Sequence, residues 1–198
     1  MGRSKAATKP VVVLVLGDSL SAEYGLKRGS GWVALMEQRI KQQKPGTVVI
    51  NASISGDTTA GGRSRLPALL DRQHPTHVII ELGGNDALRG LPLAMTEANL
   101  TAMSQAVKAS GAKPMLIGMQ LPPNYGRQYT QDFSALYARV AKAEGAALVP
   151  FLLKGIADGP DATDKWFQAD RIHPREEAHP LMLANVWPVL WPWLNARP

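Results

Sequence analysis

Val11 to Leu16 is an unbroken apolar, mostly β-branched run that stops at Gly17. A run this short and this apolar reads as a strand buried on both faces, as in the middle of a parallel sheet. Similar runs recur at Val48–Ala52, Val78–Leu82, Pro114–Met119 and Ala147–Phe151. Between them the apolar side chains switch to helical spacing. Trp32, Val33, Met36 and Ile40 mark a helix ending at Gln43, and Leu66, Leu69 and Leu70 mark one from about Gly62 to Gln73. Leu100, Met103 and Val107 predict a helix from about Thr96 to Ser110, capped by Gly111. Phe133, Leu136, Tyr137, Val140 and Ala141 share one face of the next, which Gly145 stops. Strands alternating with helices imply parallel pairing and right-handed crossovers. The expected architecture is α/β, a three-layer α/β/α sandwich.

The remainder is less regular. Ala157 to Lys165 reads as an irregular polar stretch. A last helical segment is expected from about Arg175, broken or kinked by Pro180, Pro188 and Pro192. Residues 1–10 are polar and basic and read as a flexible lead-in, the remnant of a replaced leader or a tag. Residues 11–198 read as a single domain.

Composition removes several chemistries. There is no cysteine, which excludes disulfide scaffolds, thiolate metal sites and cysteine nucleophiles. Asp158, Asp161 and Asp164 lack the remaining ligands of a calcium loop, so no metal is expected. The net charge of +6 raises nucleic acid as a partner. Yet Lys41, Lys44, Arg63 and Arg65 are scattered among acids, with no basic stripe interleaved with aromatics. Nucleic acid is therefore not an expected partner. No apolar run reaches the roughly 18 residues of a membrane helix.

In a sheet of this kind ligands bind beyond the carboxyl ends of the strands. Gly17-Asp18-Ser19-Leu20-Ser21 follows the first strand. Asn51 to Asp57 follows the second, Gly83-Gly84-Asn85-Asp86 the third, and Asp170-Arg171-Ile172-His173-Pro174 lies beyond the fifth. A serine entering a turn needs a base, because its hydroxyl is a weak nucleophile. His173 can serve, and Asp170, three residues earlier, can reach the other ring nitrogen and fix its tautomer. The N–H groups of Ser19 and Gly56 and the Asn85 amide could form an oxyanion hole.

These blocks, GDSLS, SISGDT, GGND and DRIHP, resemble those of the SGNH (GDSL) hydrolase family at Ser19, Gly56, Asn85 and His173. GDSLSAEYGL, NASISGDTTAGG, LGGNDALRG and LPPNYGRQY bring the chain nearest to the acyl-CoA thioesterase I, lysophospholipase and arylesterase group. The resemblance spans about Val11 to Leu194. It implies a flavodoxin-like five-stranded parallel sheet of order 2-1-3-4-5. It also implies cofactor-free hydrolysis of small acyl esters and thioesters, transient contact with lipid, and no obligate protein partner. Members of the group are periplasmic or secreted, whereas residues 1–10 lack a signal peptide's apolar stretch and would leave the chain cytoplasmic. Arg171 stands where a small residue is expected, and Arg175 where a small polar one is.

Leu88, Leu91 and Leu93 after the third strand, with Leu121, Pro122 and Tyr125 after the fourth, are candidates for an apolar wall against an acyl chain. A carbohydrate or other short-chain acetylesterase would use the same blocks without that wall. A phospho-receiver would use Asp18, Asp86 and Lys154 instead, leaving Gly56, Asn85 and His173 idle. His74 and His77 read as surface loop, and His179 as packed or exposed without a catalytic part. Trp187, Trp191 and Trp193 are expected to pack the last helix. Asp18 and Asp57 are expected to hold turn backbones.

Overall fold

The apolar runs pair as the sequence predicts. In a computed structural model that describes residues 10–159 and 162–196, they form one parallel sheet of order β2-β1-β3-β4-β5. The strands are β1 (Val12–Gly17), β2 (Val48–Asn51), β3 (His77–Glu81), β4 (Lys113–Ile117) and β5 (Ala147–Val149). Every β3 residue is buried, as are nearly all of β1 and β4, whereas the edge strands β2 and β5 are partly exposed. β1 pairs with β2 on one side, Val12 opposite Val48, and with β3 on the other, Val13 opposite His77. The chain therefore reverses its direction of travel across the sheet at β1. Such a switch point opens a crevice beyond the strand ends.

Helices α1 (Trp32–Gln43) and α7 (His179–Asn195) pack together on one side of the sheet. On the other side α4 (Leu93–Ala109) packs between α2 (Thr59–Gln73) and α5 (Arg127–Glu144). The buried core runs through both interfaces, from Trp32, Met36 and Leu190 through the central strands to Leu66, Leu100 and Phe133. No helix among the described residues is long and apolar enough to cross a membrane.

The structure departs from the sequence reading at several places. α7 runs unbroken from His179 to Asn195 with Pro188 and Pro192 inside it. Pro180 lies in its first turn, where a missing N–H costs nothing. The two inner prolines are tolerated because Met182, Val186, Trp187, Leu190 and Leu194 bury one helix face against the core, and packing overrides propensity. α2 begins at Thr59, ahead of the glycine pair that suggested Gly62. The Thr58 hydroxyl accepts the Gly61 N–H at 3.2 Å and the Asp86 carboxylate accepts the Thr59 N–H at 2.9 Å, which caps this early start.

His77 is not in a surface loop. It opens β3, buried, with its ring edge-on to Trp193 at 4.6 Å. His74 is exposed, in the left-handed conformation that ends α2. Trp187 stacks on Trp191 at 5.3 Å, so the tryptophans pack the last helix as expected. The expected irregular stretch contains a short helix, α6 (Ala162–Trp166). The expected flexible lead-in falls, apart from Pro10, outside the described residues, as does Asp161.

Candidate active site

β1 ends in Gly17, and the chain turns sharply through Asp18 and Ser19. The turn is drawn tight by Ser21 and Ala22, whose N–H groups both donate to the Asp18 carbonyl. A Cβ on Gly17 would lie 2.8 Å from the Ser21 hydroxyl and 2.9 Å from the Glu81 carboxylate. Only glycine lets the strand end this close to its neighbours. The turn leaves Ser19 partly exposed above the switch point.

His173 reaches Ser19 from the far end of the chain. Its Nε2 lies 2.9 Å from the Ser19 Oγ, and its Nδ1 lies 2.6 Å from the Asp170 Oδ2. The segment carrying both is held by its own backbone. The Gln168 N–H donates to the His173 carbonyl at 2.8 Å, and Phe167 and Pro174 form an antiparallel bridge. The Gln168 amide also donates to the carbonyls of Tyr24 and Pro174, which binds this segment to the loop after the serine turn.

Asp170 spends its other oxygen on the segment itself. Its Oδ1 accepts the N–H groups of Ile172 at 2.9 Å and His173 at 3.0 Å. Partial burial works against its charge, but the His173 and Ile172 donors and the imidazole outweigh it and hold the carboxyl down at about 2. Arg171, between the two, has φ of 59°, the left-handed region that glycine adopts freely. That conformation explains why a small residue is expected at this position. The Arg171 side chain points into solvent, 4.0 Å from Asp164.

Gly56 and Asn85 lie beyond the ends of β2 and β3. Gly56 has φ of 79°, and its carbonyl is clasped by the Arg89 guanidinium at 3.0 Å. The N–H groups of Ser19 and Gly56 have no hydrogen-bond partner among the described residues. Asn85 sits in a short helix, α3 (Gly84–Leu88), rather than in a plain turn. Its amide donates to the Asp57 carbonyl at 2.9 Å and to the Asp18 Oδ2 at 3.1 Å. Asp57 is itself paired with Arg65 at 2.8 Å, and Arg65 also reaches the carbonyls of Ala52 and Gly17. One guanidinium thus ties the ends of β1 and β2 to the Gly56 loop.

Asp18 and Asp86 are buried and bonded to protein groups, Asp18 to the Leu20 N–H and Asp86 to the Thr59 N–H and hydroxyl. Neither is open to a phosphodonor, which removes the receiver reading. Burial outweighs the Leu20 donor and pushes the Asp18 carboxyl up to about 6. His179 is packed, its Nδ1 accepting the Trp32 N–H at 2.9 Å.

The expected acyl wall is uneven. Leu88 and Tyr125 are exposed, as is Pro122. Leu91 is half-buried, its carbonyl held by the Tyr129 hydroxyl, and Leu93 and Leu121 pack partly against the core.

Three residues near the site escaped the sequence reading. The Tyr24 ring lies 4.2 Å from that of His173, Arg89 clasps Gly56, and Glu81 lies fully buried behind the serine turn. Glu81 had a signal: it is the one charged residue in an otherwise apolar strand, and carboxylates are almost never fully buried without a reason.

Residues 15–181 match the GDSL-like lipase/acylhydrolase family. The chain belongs to that family. It is 51% identical over 182 residues to esterase TesA of Pseudomonas aeruginosa, covering 92% of this chain and 89% of that protein. It is 43% identical over 183 residues to thioesterase 1/protease 1/lysophospholipase L1 of Escherichia coli strain K12, covering 92% and 85%. Among solved structures, the psychrotrophic esterase EstA of Pseudoalteromonas sp., inhibited by monoethylphosphonate, superposes with a TM-score of 0.85 at 39% identity, covering 93% of this chain and 99% of that one. The chain is an acylhydrolase with the fold of these esterases.

Proposed function

We propose that this acylhydrolase cleaves acyl esters and thioesters through a covalent acyl–Ser19 intermediate. The observation that carries the reading is the continuous relay from Ser19 Oγ to His173 Nε2 at 2.9 Å and from His173 Nδ1 to Asp170 at 2.6 Å. Ser19 attacks the acyl carbon while His173 takes its proton. The carbonyl oxygen becomes an oxyanion held by the N–H groups of Ser19 and Gly56 and by the amide of Asn85, which exchanges its bond to the Asp18 Oδ2 for one to the oxyanion. Collapse expels the alcohol or thiol, which leaves with the proton from His173. Water, deprotonated by the same nitrogen, then releases the acid and restores Ser19. Asp170 stabilises the imidazolium, and the Tyr24 ring against His173 adds an aromatic face to that cation.

The rim supports an amphiphilic substrate. Tyr24, Ile54 and Ile172 come from three separate loops and Leu88 from the end of α3, and all four are exposed apolar groups at this edge. Arg89, at the end of α3, lays its guanidinium against the Gly56 carbonyl, a cation for a phosphate-bearing head group. The names of the relatives, esterase, thioesterase and lysophospholipase, support the same range of small-molecule substrates. Contact with lipid at this rim is transient, and neither nucleic acid nor an obligate protein partner is part of the reading. The resemblance also favours a periplasmic or secreted enzyme, which fractionation of producing cells tests.

A serine-directed phosphonate should label Ser19 and fail to label Ser19→Ala. Label on Ser21, Ser53 or Ser55 would refute the assignment. Hydrolysis of an ester series should accelerate as the acyl chain lengthens, each buried methylene adding up to about 0.8 kcal/mol until the wall is covered. Rates confined to acetate esters would favour a short-chain acetylesterase.

A further inference from the structure

Behind the serine turn lie two carboxyls. Glu81 ends β3 with no exposed surface, and Asp18, only 3% exposed, follows β1 directly alongside it. The indole N–H of Trp32 donates to the Ser21 hydroxyl at 3.2 Å, and that hydroxyl donates onward, 2.7 Å, to the Glu81 Oε2. The same oxygen receives the Asp18 N–H at 3.4 Å. Oε1 is buried with no partner among the described residues. Asp18 accepts the same number of hydrogen bonds but on both oxygens, the Leu20 N–H on Oδ1 and the Asn85 amide on Oδ2.

Neither carboxyl has an ion pair among the described residues. The surrounding charged and titratable groups are already committed. Asp57 is paired with Arg65, whose guanidinium also reaches the Gly17 carbonyl at 3.4 Å. Asp86 is held by Thr59, the Tyr137 hydroxyl donates to the Leu82 carbonyl at 2.9 Å, and His173 is paired with Asp170. Two like charges confined together in a dry site cannot both persist. Each accepts two hydrogen bonds, but Glu81 takes both on one oxygen, and the group left with a bare buried oxygen takes the proton.

We propose that Asp18 and Glu81 hold one proton between them with Glu81 as the neutral partner, and that this neutral carboxyl is a positioning residue for the nucleophile's turn. Glu81 grips the turn at two points, the Ser21 hydroxyl and the Asp18 N–H, on either side of Ser19. Its neutrality limits the charge beneath the oxyanion hole to that of Asp18. Burial, then the Asp18 charge, push its ionisation well above the usual carboxylate range, in keeping with this. Ionising Glu81 at alkaline pH would add a second negative charge close to where the oxyanion forms. Turnover should therefore decline at alkaline pH.

The proposal rests on Ser19 as nucleophile, but its test does not. Infrared spectra near neutral pH should show a protonated-carboxyl band in the wild type that Glu81→Gln removes. An absent wild-type band, or one that survives in Glu81→Gln, overturns the shared proton whether or not Ser19 is the nucleophile. Glu81→Gln keeps an acceptor for Ser21 and cannot ionise, so kcat should fall only about threefold and the alkaline decline should vanish. Glu81→Ala removes the grip, and kcat should fall about tenfold or more with a much smaller change in KM. Equal losses in both variants with unchanged pH profiles overturn the positioning role. If Glu81→Ala does not fold, the band and the Glu81→Gln profile decide.

Discussion

Asp170→Asn isolates the tautomer of His173 from everything else in the site. The two oxygens of Asp170 have separate duties. Oδ1 accepts the backbone N–H groups of Ile172 and His173, and Oδ2 faces the imidazole Nδ1 at 2.6 Å. An asparagine must keep its only oxygen on the two N–H groups, so its NH₂ turns to Nδ1. Two donors cannot face each other, so the ring proton moves to Nε2. That nitrogen then donates to Ser19 Oγ across the 2.9 Å contact and cannot take the serine proton. The turn loses no backbone hydrogen bond, so the melting temperature should hold. Turnover should fall about 10⁴-fold, the size of this error in a serine triad, which is roughly 5.5 kcal/mol of barrier. Hydrolysis of a short aryl ester gives kcat, and thermal denaturation followed by circular dichroism gives the control. A variant that kept more than about a tenth of wild-type turnover would refute the argument, because a wrong tautomer cannot cost so little.

Burial lowers His179 from 6.5 to about 4, and it does the same to His77. A depressed histidine contributes stability that is present above pH 6.5 and lost as pH falls towards 4, because the unfolded chain binds the proton first. The raised carboxyls Asp18 and Glu81 work in the opposite sense and partly mask the loss. His179→Asn, whose oxygen can still accept the Trp32 N–H, should unmask it: the gap in urea-unfolding free energy between variant and wild type should shift by about 2 kcal/mol in the variant's favour from pH 8 to pH 5. Parallel curves would refute this. Arg171→Gly should relieve a left-handed backbone that costs roughly 1–2 kcal/mol, set against the extra freedom glycine gives the unfolded chain. The melting temperature should rise by about 2 °C with activity kept, and a fall would show that the Arg171 side chain matters more than its backbone.

The alternation of short apolar runs with helical spacing carried the sheet and the order of its elements, because parallel strands buried on both faces have few other solutions. The four motif blocks carried the candidate site for a related reason: each sits just past a strand, where the switch point opens. What escaped depended on contacts between distant segments. His77 looked like loop beside His74, yet Trp193 from the last helix covers it. Pro188 and Pro192 looked like breaks, yet the α7 face they interrupt is held by the core. Tyr24 acquires a role only once Gln168 draws the histidine segment against it, and nothing near Tyr24 in the chain announces that. Arg171 was noticed as unusual, but only its backbone angle supplies the reason.

The hydroxyl and imidazole that meet at 2.9 Å are 154 residues apart in the chain. Ser19 emerges early in synthesis and its turn can close as soon as β3 is in place, whereas His173 is added near the end, roughly 8–30 s later at about 5–20 residues per second. On the proposed mechanism, a nascent chain on the ribosome therefore holds a serine with no base to activate it. Asp170, Tyr24 and Gln168 enforce the same delay, since each acts on the histidine segment rather than on the serine. That mechanism would keep the enzyme mute towards acyl groups around it until its chain is nearly finished, and a polypeptide cut short by stalling or proteolysis before that segment should be inert.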